Sequence, residues 1–422
     1  MNNKNKQHSS DVVIVGAGVI GLACAHYLTA EGLQVTVIDK GTVGSGCSSG
    51  NCGYICPSHI LPLTEPGVIQ EGIKSLFDPK AAFRIKPQFR LSFFSWLYQF
   101  AMRCNHKKMM ESAHKLNQIL QLSRQEYQTL FKQPALDGQW KESGLLYVFE
   151  TEKGIKEFQE TDQLLREHFS CGAKLLTSDE LAQFDSALKP DLAGAYFYKN
   201  DASLRPDKFI IDWTVFLKDQ GVEFIEHCEL ESVQKSQRRV TSLKTSKGQF
   251  SASKYVFAMG AWSQFLSSEL ECKIPVEPAK GYSVTVNKPE QSPHTPMLFP
   301  EHRVGITPFD DGFRLGSMME FVGFDDSISK QRIDQLFESA KPYLKTDITP
   351  SYEKSWTGWR PMTWDSLPII GYTPKLDNAL LATGHNMLGM TLAPATGKLL
   401  SSLVLGQKSE LDIQSYSPNR FL

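Results

Sequence analysis

Three glycines and one aspartate near the start of the chain carry the clearest chemistry. Asp11-Val12-Val13-Ile14-Val15 is an apolar, β-branched run that ends in Gly16-Ala17-Gly18-Val19-Ile20-Gly21 and leads into Leu22-Ala23-Cys24-Ala25-His26-Tyr27-Leu28. In a strand–turn–helix unit, Gly16 permits the sharp turn, Gly18 lets the backbone approach a pyrophosphate, and Gly21 lets the helix pack close to the strand. The helix N-terminus offers unpaired N–H groups and partial positive charge to the phosphates. A second run, Val35-Thr36-Val37-Ile38, ends at Asp39, where a carboxylate accepts hydrogen bonds from ribose hydroxyls. The combination predicts a bound dinucleotide.

Other reactive side chains are weighed against blander readings. Lys4 and Lys6 before the apolar run, with Ala23-Cys24-Ala25 beyond it, have the outline of a signal peptide. Cleavage there would destroy the nucleotide loop, so residues 1–9 are expected to form a polar, disordered tail. Cys47, Cys52 and Cys56 lie at a spacing near that of some iron–sulfur loops. No second cysteine group completes a four-ligand set, so they read as small residues beside a cofactor and no metal is expected. Eight cysteines in 422 residues do not make a disulfide framework. They point to a reducing compartment, and the chain is expected in the cytoplasm.

The elements that must position these residues follow from length and patterning. A chain of 422 residues implies two domains, and a formal net charge of −1 argues against a nucleic-acid partner. After Asp39 a second small-residue loop, Gly44 to Gly53, suits a chain that wraps the far half of a larger dinucleotide. Residues 60–130 read as mostly helical. Leu91 to Met102 is aromatic-rich, flanked by Arg90 and Arg103, and too short to span a bilayer. It reads as a helix covering the core, with a monotopic contact on the inner face of a membrane as the alternative.

Gly144 to Phe149 reads as a strand, Gly154 to His168 as an amphipathic helix, and Asp207 to Gln220 as a helix before the strand Val222 to Ile225. Two hairpin strands are expected around Val240 to Phe250, then a separate buried strand at Lys254 to Phe257. A helix is expected near Ser329 to Lys341. Ala379 to Thr383 reads as a strand entering a Gly384-His385 turn and the apolar helix Met390 to Leu405. The chain therefore returns to its first sheet after visiting a second domain twice.

Five motifs in order are recognisable: the opening loop, Val256-Phe257-Ala258-Met259-Gly260-Ala261-Trp262, Pro278-Ala279-Lys280-Gly281-Tyr282-Ser283, Gly358-Trp359-Arg360-Pro361-Met362-Thr363 and Gly384-His385-Asn386-Met387-Leu388-Gly389. Together they resemble the D-amino-acid oxidase superfamily of FAD enzymes over nearly the whole chain. Gly50-Asn51-Cys52-Gly53-Tyr54-Ile55 with Pro57, and Val322-Gly323-Phe324, resemble its bacterial D-amino acid dehydrogenases. The resemblance implies an α/β fold, α+β overall. A Rossmann-like FAD-binding domain would comprise residues 10–60, 200–272 and 358–422. A discontinuous antiparallel-sheet substrate domain with a helical insertion would comprise 61–199 and 273–357.

Carried over, Gly16, Gly18 and Gly21 would hold the FAD pyrophosphate and Asp39 the ribose. Leu230 would lie at the adenine, Ser49, Gly53 and Gly260 along the cofactor, and His385, Asn386, Met387, Leu388 and Gly389 at the pyrimidine end of the flavin. A helix N-terminus near Leu388 would favour negative charge on reduced flavin. The His385 loop contains no cysteine, so the FAD is expected to be non-covalent.

Arg360 would bind a substrate carboxylate through its planar fork, with Tyr282 and Tyr54 as candidates to orient it or cover the site, and plain packing as the alternative for each. His59 is a further candidate for such work but reads as a solvated loop residue. Met318, Met319 and Glu320 lie on a strand with two readings, cavity lining or core, of which core is the first. The implied reaction is hydride transfer from a D-amino or imino acid to flavin N5. The imine then hydrolyses to a 2-oxo acid, or stays cyclic for D-proline or cis-4-hydroxy-D-proline, and electrons leave to a quinone or other carrier. A glycine- or sarcosine-type oxidase is the rival, while a non-catalytic flavoprotein and an NAD-dependent dehydrogenase are remoter ones.

Overall fold

Val12–Val15, Val35–Ile38, Tyr255–Phe257 and Ala379–Thr383 are apolar runs with almost no polar alternation, the pattern of strands covered on both faces. All are buried. In the computed structural model, which describes residues 7–75, 81–86, 88–348 and 352–422, these runs form the parallel centre of one sheet.

In chain order the elements begin with β1 (Gln7–Val15), α1 (Val19–Ala30), β2 (Val35–Ile38), β3 (Tyr54–Ile55), α2 (Val68–Ser75), β4 (Phe83–Ile85), α3 (Leu91–Ala101) and α4 (His106–Leu130). There follow β5 (Leu145–Phe149), α5 (Glu152–Phe169), β6 (Lys174–Thr177), α6 (Ser178–Phe184), β7 (Gly194–Tyr198), β8 (Ala202–Ser203), α7 (Pro206–Asp219) and β9 (Glu223–Ile225). Next come β10 (Leu230–Ser236), β11 (Arg239–Thr245), β12 (Gly248–Phe257), β13 (Val276–Asn287), β14 (Met297–Phe299), β15 (Val304–Phe309) and β16 (Gly312–Phe321). The chain closes with α8 (Lys330–Ala340), β17 (Tyr352–Thr363), β18 (Ile369–Tyr372), β19 (Ala379–Thr383) and α9 (Gly389–Leu405).

The first sheet runs β10-β11-β12-β1-β2-β9, with β19 on β12 and β18 on β19. The second runs β17-β13-β16-β15-β14-β5-β7-β6, with β4 on β16. This is the expected α/β core beside a largely antiparallel sheet, and the chain crosses between them more than once.

Four expectations change. Residues 7–9 of the expected tail belong to β1, where His8 opposes and stacks on Phe250; residues 1–6 lie outside the described residues. The expected hairpin strand near Phe250 and the buried strand at Lys254 are one strand, β12. It pairs with β1 along its length and on its other side passes from β11 to β19. A domain limit at residue 358 would cut β17, because Gly358–Thr363 pair with β13 in the second sheet.

Finally, α4 packs on α9 of the nucleotide half. Pro394 inside α9 has no N–H to donate, which leaves the Met390 carbonyl without its helical partner. The buried Tyr127 hydroxyl from α4 donates to that carbonyl instead.

Candidate active site

A cavity of about 990 Å³ is lined from both sheets. At its nucleotide end the walls are largely backbone. Gly16 has φ +110°, and a Cβ there would stand 2.4 Å from the Ala258 carbonyl oxygen. A Cβ at Gly21 would stand 1.9 Å from the Gly16 carbonyl oxygen, so the turn and the start of α1 pack with no side chain between them. Gly18 lines the cavity and Gly21 supports it from behind.

Asp39 Oδ2 accepts from the Ala17 N–H at 2.7 Å and Oδ1 from the Gly41 N–H at 2.8 Å. The carboxylate thus ties both loops while lining the cavity, with lone pairs left for ribose hydroxyls. Leu230 and Gly260 are also in the wall, and a Cβ on Gly260 would meet nothing within 4 Å.

Two expected positions lie just outside the cavity wall. The Ser49 hydroxyl donates to the Gly44 carbonyl at 2.7 Å, and Gly53 packs on the Leu204 carbonyl. The residue that faces inward is Ser48, whose Oγ accepts from the Val19 N–H at 3.1 Å. A serine at a helix start is a familiar capping signal, but here it comes from a loop 29 residues downstream.

The turn after β19 closes the far end. Asn386 has φ +53°; its Oδ1 accepts from the Thr363 N–H at 2.9 Å and its Nδ2 donates to the Gly384 carbonyl at 3.0 Å. His385 is buried against Thr396 Oγ1 at 2.9 Å, and burial lowers its pKa to about 3, so it is neutral. Met387, Leu388 and Gly389 line the cavity, and Leu388 caps α9 without a side-chain hydrogen bond. The N-termini of α1 and α9 therefore open onto one cavity.

The part of the wall around Arg360, where a substrate is expected, is built from side chains. Arg360 lies on β17, opposite Ala279 on β13. Burial lowers its pKa, but guanidinium stays charged in proteins. Its Nη1 donates to the Met318 carbonyl at 2.7 Å, and among the described residues no carboxylate pairs with it. The guanidinium is half-buried in the cavity wall with donors to spare, so the pocket is suited to an anionic ligand.

Tyr54 and Tyr282 reach the same cavity, but each hydroxyl hydrogen is already engaged. Tyr54 donates to the Met297 carbonyl at 2.9 Å. Tyr282 donates to Glu320 Oε2 at 2.7 Å, and Glu320 also accepts from Arg332 Nη2 at 2.5 Å. Burial, then the Glu320 contact, raises the Tyr282 pKa. Both tyrosines are walls whose donors point into protein.

His59, expected in solvent, is half-buried and lines the cavity, and burial lowers its pKa. The neighbouring Ser58 binds the buried Asp201, donating through N–H at 3.1 Å and Oγ at 2.5 Å. Met318 and Met319 are buried in the core, as expected, and at the same time line the cavity, whereas Glu320 belongs to the ion network behind it. Cys47, Cys52 and Cys56 all face the cavity, and burial raises each thiol's pKa, which keeps them protonated.

An FAD molecule carries negative charge on its phosphates, and on the flavin ring when reduced, which a helix N-terminus would favour. Residues 11–403 match the DAO model described as FAD dependent oxidoreductase, and the chain belongs to that family, with FAD as its cofactor. Among individual proteins, the chain is 32% identical over 425 residues to a D-amino acid dehydrogenase of Vibrio atlanticus (strain LGP32), covering 98% of this chain and 100% of that one. It is 31% identical to a D-amino acid dehydrogenase of Vibrio vulnificus (strain YJ016), covering 96% and 99%. Its fold matches glycine oxidase from Geobacillus kaustophilus with a TM-score of 0.80 at 23% identity, covering 98% of this chain and 100% of that one. It matches L-proline dehydrogenase from P. horikoshii with a TM-score of 0.75 at 20% identity, covering 99% and 98%.

Proposed function

We propose that the chain is a D-amino acid dehydrogenase holding FAD non-covalently. The observation that carries this reading is Arg360: a half-buried, charged fork in the cavity, with no carboxylate partner among the described residues. The names of the full-length relatives support the D-amino acid class.

In the proposed reaction the substrate loses a hydride from Cα and a proton from nitrogen, becoming an imine. When bound, FAD supplies the two-electron acceptor. Water adds to the imine, giving a 2-oxo acid and ammonia, or a cyclic imine is released from a proline-like substrate. The chain's own contribution is placement. Arg360 holds the carboxylate, the α9 N-terminus favours negative charge at the end of the cavity, and Tyr54, Tyr282 and Met318 form apolar walls that exclude water. No side-chain base is required when the amine binds neutral.

The electrons pass on to a quinone, and the outer face of α3 is the place for a lipid surface. Phe93, Trp96 and Phe100 bury one side of this helix, whereas Leu91, Phe94, Tyr98 and Met102 leave an apolar stripe exposed on the other. Phe89 extends that stripe, and Arg90 and Arg103 flank the helix. No described helix is long and apolar enough to cross a membrane, so contact would be monotopic.

The test is anaerobic bleaching of the bound flavin by D- and L-alanine, D-proline, cis-4-hydroxy-D-proline, glycine and sarcosine. Bleaching by D-amino acids alone is expected, and their ranking separates linear from cyclic substrates. Fastest bleaching by glycine or sarcosine, or none by any compound, would overturn the reading.

A further inference from the structure

We infer that Met318 is a positioning residue: its left-handed backbone, opposite Gly281, turns a carbonyl onto Arg360 and fixes the direction of the guanidinium fork. The inference rests on the reading of Arg360 as the carboxylate-binding group.

Along β13 and β16, Lys280 opposes Glu320 and Tyr282 opposes Ser317. Met318 and Met319 therefore stand against Gly281 alone, which is a β-bulge. Met318 has φ +69°, a region that costs energy for any residue with a Cβ and persists only where the surroundings impose it. The surroundings here do so from both sides. Ser317 is still paired with Val304 of β15, and its hydroxyl donates to the Arg303 carbonyl at 2.5 Å. Met319 is already paired with Phe83 of β4, and its N–H donates to the Ala82 carbonyl at 2.8 Å. The strand changes neighbours within a single residue, and Met318 absorbs the turn.

That turn releases the Met318 carbonyl from the ladder to accept Arg360 Nη1 at 2.7 Å. Gly281 supplies the floor. A Cβ there would stand 2.2 Å from Arg360 Nη1 and 2.5 Å from Cζ, so the guanidinium lies flat in the space a side chain would fill. Arg360 Nε and Nη2 have no protein acceptor among the described residues, which leaves donors for the two oxygens of a carboxylate. Three strands thus set the fork: β17 carries it, β13 makes room for it, and the bulge in β16 anchors one corner.

The experiment compares Met318→Val with Met318→Gly in the holoenzyme, using the amino acid that turns over fastest in the panel above. Both remove the thioether, but only glycine takes the left-handed conformation without strain. Met318→Val is expected to raise KM about tenfold above Met318→Gly, with a smaller change in kcat. Arg360→Lys is the reference, and FAD bound per chain reports folding. If Arg360→Lys raises KM while the two Met318 variants are indistinguishable, the positioning inference falls and the carboxylate reading stands. If Arg360→Lys leaves KM unchanged, the carboxylate reading itself falls. Should Met318→Val not retain FAD, Gly281→Ala decides: the inference requires a KM increase, and an unchanged KM would overturn it.

Discussion

At the nucleotide end of the cavity, contact is made by backbone, and the glycines of one short loop set its shape because neighbouring peptide groups touch each other. At the substrate end, contact is made by long side chains reaching across strands: Arg360 over Gly281, Tyr282 to Glu320, and Arg332 from α8 to the same carboxylate. The first end is shaped by glycines and close backbone contacts, the second by side chains carried on different strands and on α8. The difference shows which substitutions should abolish cofactor binding and which should change only the chemistry.

The largest effect is expected from Gly21→Ala, whose Cβ would stand 1.9 Å from the Gly16 carbonyl oxygen. Helix and turn must separate, so the protein should purify without flavin. It should also lose the cofactor's stabilisation, about 4 kcal/mol at a thousandfold excess of FAD over Kd. Absorbance at the flavin band, with a thermal shift on adding FAD, checks it. A yellow, fully loaded variant would break the contrast at its nucleotide end.

Arg360→Ala should do the opposite: retain FAD and lose activity. Removing one partner of a buried charge pair costs about 2–5 kcal/mol, so kcat/KM should fall on the order of a hundred- to a thousandfold. Steady-state kinetics at equal flavin content measures this, and flavin loss in place of activity loss would merge the two ends.

Replacing Leu91, Phe94 and Tyr98 of α3 together by serine should weaken sedimentation with lipid vesicles on the order of a hundredfold, at about 1 kcal/mol per side chain partly withdrawn from water. Turnover with a water-soluble dye should be unaffected. Equal sedimentation of variant and wild type would remove α3 from the account.

The smallest effect concerns Asp201, behind the His59 loop. Burial lifts its pKa from 3.8 to about 7, against the Ser58 bonds and Arg124 that lower it. Between those values the folded chain holds a proton that the unfolded chain has released. This residue's contribution to stability therefore declines as pH rises from about 4 to about 7. Asp201→Asn should flatten that part of the melting-temperature profile, and a profile identical to wild type would show that the carboxyl titrates elsewhere.

The same contrast explains what could be read before folding. The strand–turn–helix at residue 11, the strand at Ala379 and the apolar helix that follows it are local patterns and fold as such, whereas Arg360 and the Leu388 turn are singled out by the family resemblance and both line the cavity. A loop's facing is not periodic, so sequence does not show that Ser48 meets Val19 while Ser49 turns to the Gly44 carbonyl. Whether Tyr282 orients a ligand or only packs is not legible in sequence, because Glu320, which takes its hydroxyl, and Arg332, which pairs with Glu320, come from β16 and α8. His59 read as solvated because the buried Asp201 that anchors its loop lies 143 residues beyond Ser58. The unbroken β12 was divided in two because its polar middle, Ser251 to Lys254, looks like a loop until β1 is laid beside it. Nothing in the run Ser317-Met318-Met319-Glu320 announces a left-handed residue.

One measurement bears most directly on the whole account: the rate of anaerobic flavin reduction by D-alanine, followed by stopped flow in wild type and in flavin-loaded Arg360→Ala across substrate concentration. The account predicts a saturating rate in wild type, with Arg360→Ala needing roughly a hundredfold more D-alanine to approach its own limit. Superimposable concentration curves for the two proteins would contradict it.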